Sequence, residues 1–181
     1  MKNLANVVIV ICVIVALLTS KEAISQTTPE KAWQLTLAIN AGLPTGVATE
    51  GSTFIGGGDI GLQYGLTQKI ALTFRTGGYH FFPKLIPGTN IRRGSSGLGP
   101  IKIGGRYFFN EHIYLGAEVG VGYEVTEEGF TPGQHKLILA PSIGWANKRW
   151  DTSFRYEDFS GQNNNYGMVA VRIGYGIKLS K

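Results

Sequence analysis

The chain has 181 residues, a net charge of +5, a single cysteine and 26 glycines. That length suits one ordinary domain and not comfortably two. The charge excess is too small to argue for a nucleic-acid partner, although it suits anionic lipid headgroups, and glycines spread along the chain exclude a linker or a collagen-like repeat.

Residues 1–25 read as a secretory signal peptide. Lys2 is followed by an apolar run over residues 7–18, and Ala23 and Ser25 stand at the −3 and −1 positions of a cleavage site. A spanning helix needs about 20 apolar residues, so a retained N-terminal anchor is the weaker alternative. Cys12 lies in the run and leaves with it, so the mature chain has no disulfide and no thiol-based metal site. Loss of Lys2, Lys21 and Glu22 takes the charge from +5 to +4. Residues 26–32 form a short polar leader, and residues 33–181 one domain.

From Trp33 onward, apolar and polar residues alternate with period two, the pattern of a strand with two unlike faces. Trp33, Leu35, Leu37, Ile39 and Ala41 begin it, and Ile60, Leu62, Tyr64 and Leu66 continue it in a second segment. Ile70, Leu72 and Phe74 mark the third, and Ile101, Ile103, Tyr107 and Phe109 the fourth. In the fifth, Ile113 to Val125 alternate with Gly116, Glu118, Gly120, Gly122 and Glu124. Leu137, Leu139, Ile143 and Trp145 define the sixth, Trp150, Phe154 and Tyr156 the seventh, and Val169, Val171, Ile173, Tyr175, Ile177 and Leu179 the last. Eight strands of about ten residues match what a tilted strand needs to cross a bilayer. Short turns at residues 66–69, 110–112 and 146–149 alternate with longer loops at residues 43–53, 83–99, 126–134 and 160–165. Short periplasmic turns and longer external loops are the asymmetry of an outer-membrane barrel. The predicted fold is all-β, an eight-stranded antiparallel up-and-down transmembrane barrel with both termini periplasmic.

A soluble barrel would also alternate, with its apolar face inward. Three features favour apolar residues facing lipid. Trp33, Tyr64, Tyr107, Phe109, Trp145 and Trp150 gather at the turn side of the apolar face, where an interfacial belt belongs. The polar face is rich in glycine, which suits a narrow interior. Its charges are of mixed sign: Arg75, Lys102, Arg106, Arg155, Arg172 and Lys178 against Asp59, Glu118, Glu124, Asp151 and Glu157. Buried charges need partners, and these are expected to form an interior network.

Residues 61–72 (GLQYGLTQKIAL), 105–109 (GRYFF), 114–120 (YLGAEVG) and 171–179 (VRIGYGIKL) resemble the small outer-membrane β-barrel proteins of Gram-negative bacteria. The resemblance implies an outer-membrane location, contact with membrane lipid and lipopolysaccharide, and insertion by the barrel assembly machinery. These are patterns of architecture and not of catalysis. Such barrels often end on an aromatic residue, where this sequence closes on Leu179, Ser180 and Lys181.

No cofactor or metal site is expected. Gly56, Gly57 and Gly58 lack the strand-to-helix setting of a phosphate loop, and Glu127 with Glu128 supply too few oxygens for calcium. A lipid A-modifying barrel would need a histidine with a serine and an acid; His112 falls in a short turn, while His80 and His135 lie near the outer rim without a serine two residues away. Lys84, Arg92 and Arg93 in the second long loop are either a grip on lipopolysaccharide phosphates or a solvated loop. A monomeric barrel with a filled interior and a structural or surface-interaction role is therefore expected, ahead of a small pore or a carrier for hydrophobic solutes.

Overall fold

A computed structural model describes residues 28–86, 88, 94–126, 129–161 and 164–179, with side chains undescribed at 126 and 129–134; the predicted signal peptide lies outside the described residues. Eight strands follow in order: β1 (Trp33–Gly46), β2 (Ser52–Gly65), β3 (Ile70–Pro83), β4 (Ser96–Phe108), β5 (Ile113–Thr126), β6 (Gly129–Ala146), β7 (Trp150–Ser160) and β8 (Tyr166–Lys178). Each pairs antiparallel with the next, and β8 returns to β1 to close the barrel. Closure leaves no free edge, so every strand has a ladder on both sides.

The three short turns share one device. Thr67 Oγ1 accepts from the amides of Lys69 and Ile70. Asn110 Oδ1 accepts from His112 and Ile113, and Asn147 Oδ1 from Arg149 and Trp150. A short polar side chain thus satisfies the amides that the tight reversal leaves unpaired. At the other end the strands run further than alternation alone indicates. The expected loop at residues 43–53 shrinks to a bend with a four-residue helix, α1 (Ala48–Gly51). That expected at 126–134 is largely strand, with Thr126 opposite Gly129 and Val125 opposite Phe130. The polar, Pro- and Gly-containing composition hid this pairing.

Prolines within the wall sit where a ladder lapses. Pro100 on β4 pairs with Gly122 of β5, whereas the β3–β4 register is interrupted between Thr76/Ile101 and Tyr79/Leu98. Pro141 likewise pairs with Ala117 of β5, in the gap of the β6–β7 register. A residue without an amide hydrogen is tolerated at such breaks.

Leu37, Ile39, Leu72, Phe74, Ile103, Val119, Leu139, Ile143, Phe154 and Ile173 are among many apolar side chains exposed on the outside of the wall. Burial inside falls instead on Asp59, Arg75, Lys102, Arg106, Glu118, Asp151, Arg155, Glu157 and Arg172. This is the reverse of a soluble barrel, in which the apolar face would be buried. The three tryptophans, Trp33, Trp145 and Trp150, all project outward at the turn end, where Trp33 packs on Tyr64 and Trp150 on Tyr175. The belt is not confined to that end. Phe54, Phe82, Tyr123 and Tyr156 project outward toward the loop side, with Phe82 between Phe54 and His80. Aromatic rings flank the apolar band on both sides, as two membrane interfaces require.

Candidate functional site

Interior side chains fall into layers. At the turn end, Ala71, Phe108, Tyr114 and Ala146 form a buried apolar cluster. The leader adds a lid there: Thr28 and Ala32 are buried, Gln63 donates to Thr28 Oγ1 at 2.8 Å, and Thr28 donates to Gln34 at 2.9 Å. Residues 28–32 therefore belong to the folded unit and do not trail from it.

Nine of the eleven charged residues expected inside occupy the midsection, and all nine are buried. Arg172 donates to both oxygens of Asp59, at 2.8 and 2.9 Å, and to Asp151 at 2.8 Å. Asp151 also accepts from Arg106 and from the Tyr114 hydroxyl, each at 2.6 Å. A second group joins Arg75 to Glu118 at 2.8 Å, Arg155 to both Glu118 and Glu157 at 3.0 Å, and Lys102 to Glu157 at 2.7 Å. Arg75 approaches Asp151 at 3.9 Å and links the two groups. Uncharged donors add to the acids, Asn40 to Asp59 at 2.7 Å, Thr73 to Glu118 at 3.2 Å and Tyr79 to Glu157 at 2.9 Å, while Glu157 Oε2, Arg75 Nη1 and Arg155 Nε are buried without a hydrogen-bond partner among the described residues. Each carboxylate thus meets at least one cation and one neutral donor, the condition for keeping charge in a low-dielectric space.

Two of the eleven lie elsewhere. Lys178 is exposed at the end of β8, past the closed section, where an inward parity no longer means burial. Glu124 is half-buried at the loop-side rim and accepts from the Tyr166 hydroxyl at 2.6 Å. Its neighbour is Lys136, a buried cation absent from the expected set, whose ammonium donates to the carbonyls of Gly161 and Asn164 at 2.7 and 2.6 Å and stands 4.0 Å from Glu124. The sequence signal for Lys136 was its parity with Ala140 and Gly144.

Sequence reasoning also missed the layer between network and rim. Ile55, Tyr79, Phe81, Leu98, Ile138, Ala140, Phe159, Met168 and Ala170 form a continuous buried apolar cluster with Tyr166 packed against it. The interior is therefore not glycine and charge alone. These residues share the inward parity of the polar face, which identifies them once the face is known; bulk is needed there because no cross-strand ion pair fills the section. Above this layer, Val47, Ala48, Ser52, Phe81, Glu124 and Tyr166 help line an open cavity of about 270 Å³ at the mouth.

Glycine gives the long side chains their room. A Cβ on Gly104 would stand 2.1 Å from the Ala117 carbonyl and 2.7 Å from Glu118 Cγ, and one on Gly120 would stand 2.0 Å from the Ile101 carbonyl. Gly144 carries the Tyr114 ring directly above it.

His80 and His135 are exposed on the outer face toward the loop side, and His112, in its turn, stacks on Trp145 at 5.7 Å. Among the described residues no group of three or more His, Cys, Asp or Glu is placed to hold a metal. Lys84 is half-buried and donates to the Thr49 carbonyl. Arg92, Arg93, Glu127 and Glu128 lie outside the described residues.

No family model matches the sequence, and no curated protein matches it. Solved structures do. Ail, the attachment invasion locus protein of Yersinia pestis, superposes with a TM-score of 0.57 at 11% identity, covering 82% of this chain and 99% of that one. The chain shares its fold. Ail in a phospholipid bilayer nanodisc, where it is described as an outer membrane protein, gives a TM-score of 0.56 at 12% identity over 78% of this chain and 99% of that one. Neisserial surface protein A gives 0.53 at 14% identity over 81% and 97%. With so little identity, the likeness shows a common barrel architecture.

Proposed function

We propose that this chain is an integral protein of a bacterial outer membrane, delivered by its signal peptide and inserted by the barrel assembly machinery. It is a monomer with short turns and termini on the periplasmic side and its longer connections outside. Its role is structural or interactive and not catalytic: the wall contacts lipid, and the outer end presents a surface. The observation that carries this reading is a closed ionic cross-section inside an apolar wall. Charges are buried at the centre, apolar side chains are exposed around them, and this arrangement is stable only where lipid surrounds the wall. The phospholipid bilayer in which Ail was studied is consistent with the same environment here.

Closure argues against the pore reading. An eight-stranded interior is just filled by side chains, and here apolar clusters cap the ion network on both sides. Phe81 of the loop-side cluster and Tyr166 packed against it line the mouth cavity. Lys84, Arg92 and Arg93 are proposed as contacts to lipopolysaccharide phosphates, since basic side chains pair well with phosphate.

The test is membrane fractionation combined with heat-modifiable gel mobility and planar-bilayer recording. A folded species in the outer-membrane fraction, shifting on boiling and conducting no sustained current, is the expected result. A protein released by high salt without detergent would overturn the membrane reading, and steady single-channel steps would overturn the closed interior. Lipid A unchanged in mass between cells with and without the gene is expected; a change would restore the enzyme reading.

A further inference from the structure

The turn end of the barrel carries an incomplete ring of positive charge, with cations at three of its four junctions. Lys69 and Arg149 occupy the same place in two of the short turns, each two residues after the Thr or Asn that organises the reversal, and the third turn has His112 at that place with Glu111 beside it. Lys148 adds a second cation beside Arg149, and Lys178 stands at the β1–β8 seam, the one junction at this end without a turn. Lys31 lies across β1 from it, its amide donating to the Gly65 carbonyl at the end of β2. Among the described residues this end holds five Lys or Arg against the acids Glu30 and Glu111. Lys31, Lys148, Arg149 and Lys178 are exposed, and none forms an ion pair with another described residue. Internal ion pairing, so extensive in the midsection, does not neutralise them. The ring is continuous with the aromatic belt: His112 stacks on Trp145, Arg149 adjoins Trp150, and Leu179 returns a hydrogen bond to the Trp33 carbonyl at 3.0 Å.

An aromatic belt sits at the level of the headgroups. Cations placed just beyond it, on short rigid turns, stand where the phosphates of the adjoining leaflet lie. Each basic residue held near an anionic membrane surface strengthens the attraction, an effect confined to about one Debye length. We infer that the turn end is a selective contact surface for anionic phospholipid headgroups, which the ring gathers from the leaflet on that side. This inference rests on the proposal that the outer wall lies in lipid.

The three tryptophans are the probe, because all of them lie in the belt next to the ring. The full chain is folded into phosphatidylcholine vesicles in which a fixed fraction of lipid carries brominated acyl chains, on either phosphatidylcholine or phosphatidylglycerol. Bromine is placed in both leaflets, so insertion direction does not matter. Tryptophan quenching by the brominated phosphatidylglycerol is expected to report an apparent association about fivefold stronger than for brominated phosphatidylcholine. The preference should fall toward unity in 0.5 M salt. It should also be lost when Lys31, Lys69, Lys148, Arg149 and Lys178 are all changed to Gln, with quenching by brominated phosphatidylcholine unchanged. If that variant does not fold, Lys148→Gln with Arg149→Gln, confined to one exposed turn, should lose about half of the preference. Equal quenching by the two headgroups in the unaltered protein overturns the inference and leaves the lipid-facing wall intact. A preference that survives in the variants overturns it as well. Quenching by neither lipid overturns the lipid-facing wall itself.

Discussion

Arg172 lays its guanidinium across both oxygens of Asp59, a residue 113 positions earlier in the chain. Strand β1 runs between them: Asn40 pairs with Arg172 on one side, Ala38 pairs with Asp59 on the other, and Asn40 donates to Asp59 itself. One strand is therefore clamped by the ion pair formed across it, at the seam where the first and last strands close the barrel.

Arg172→Met should strand Asp59, which loses its only ion-pair partner among the described residues, and should remove one of the cations on Asp151, which Arg106 still holds. Breaking a buried pair by removing one partner costs about 3–5 kcal/mol. Urea unfolding of the folded chain in detergent micelles should show a loss of that size. Asp59→Asn should cost less, since Asp151 still holds Arg172; an equal loss from both substitutions would place the clamp elsewhere.

Gly120→Ala drives a Cβ to within 2.0 Å of the Ile101 carbonyl, whereas a Cβ on Gly78 meets nothing within 4 Å. The first should destabilise by at least about 1–3 kcal/mol through overpacking. The second should stay within about 0.5 kcal/mol of the parent. The ratio of heat-modifiable to unfolded protein after refolding reads the difference directly.

Phe159→Ala removes a fully buried ring from the apolar seal beneath the mouth cavity. Such a truncation costs about 3–5 kcal/mol, yet planar-bilayer current should stay at baseline, because Glu157, Arg155, Lys102 and Glu118 still close the section below. Current appearing in this variant would make the apolar layer, and not the ion network, the barrier.

Ile103→Arg tests which face meets lipid. Ile103 is 58% exposed and pairs with Phe74 and Val119 at mid-wall. In water an arginine there would be nearly neutral. In a bilayer it should cost about 2–4 kcal/mol, measured as unfolding in vesicles.

The strands and their faces were legible in the sequence because period-two alternation is a local property of an extended chain, carried by neighbours such as Val119, Gly120 and Val121. The short turns were legible for the same reason: Thr67, Asn110 and Asn147 act on amides two and three residues ahead. Parity also put nine buried charges on the inward face, but it put the exposed Lys178 there too. Height along the barrel is a different quantity. It depends on the stagger accumulated strand by strand around the closed sheet, so only the tertiary structure decided that Arg172 meets Asp59, that Lys136 lies inside while Lys178 emerges, and that Phe81, Leu98 and Phe159 stack into one seal. The same closure gathers Lys31, Lys69, Arg149 and Lys178, scattered over the whole chain, into one charged rim.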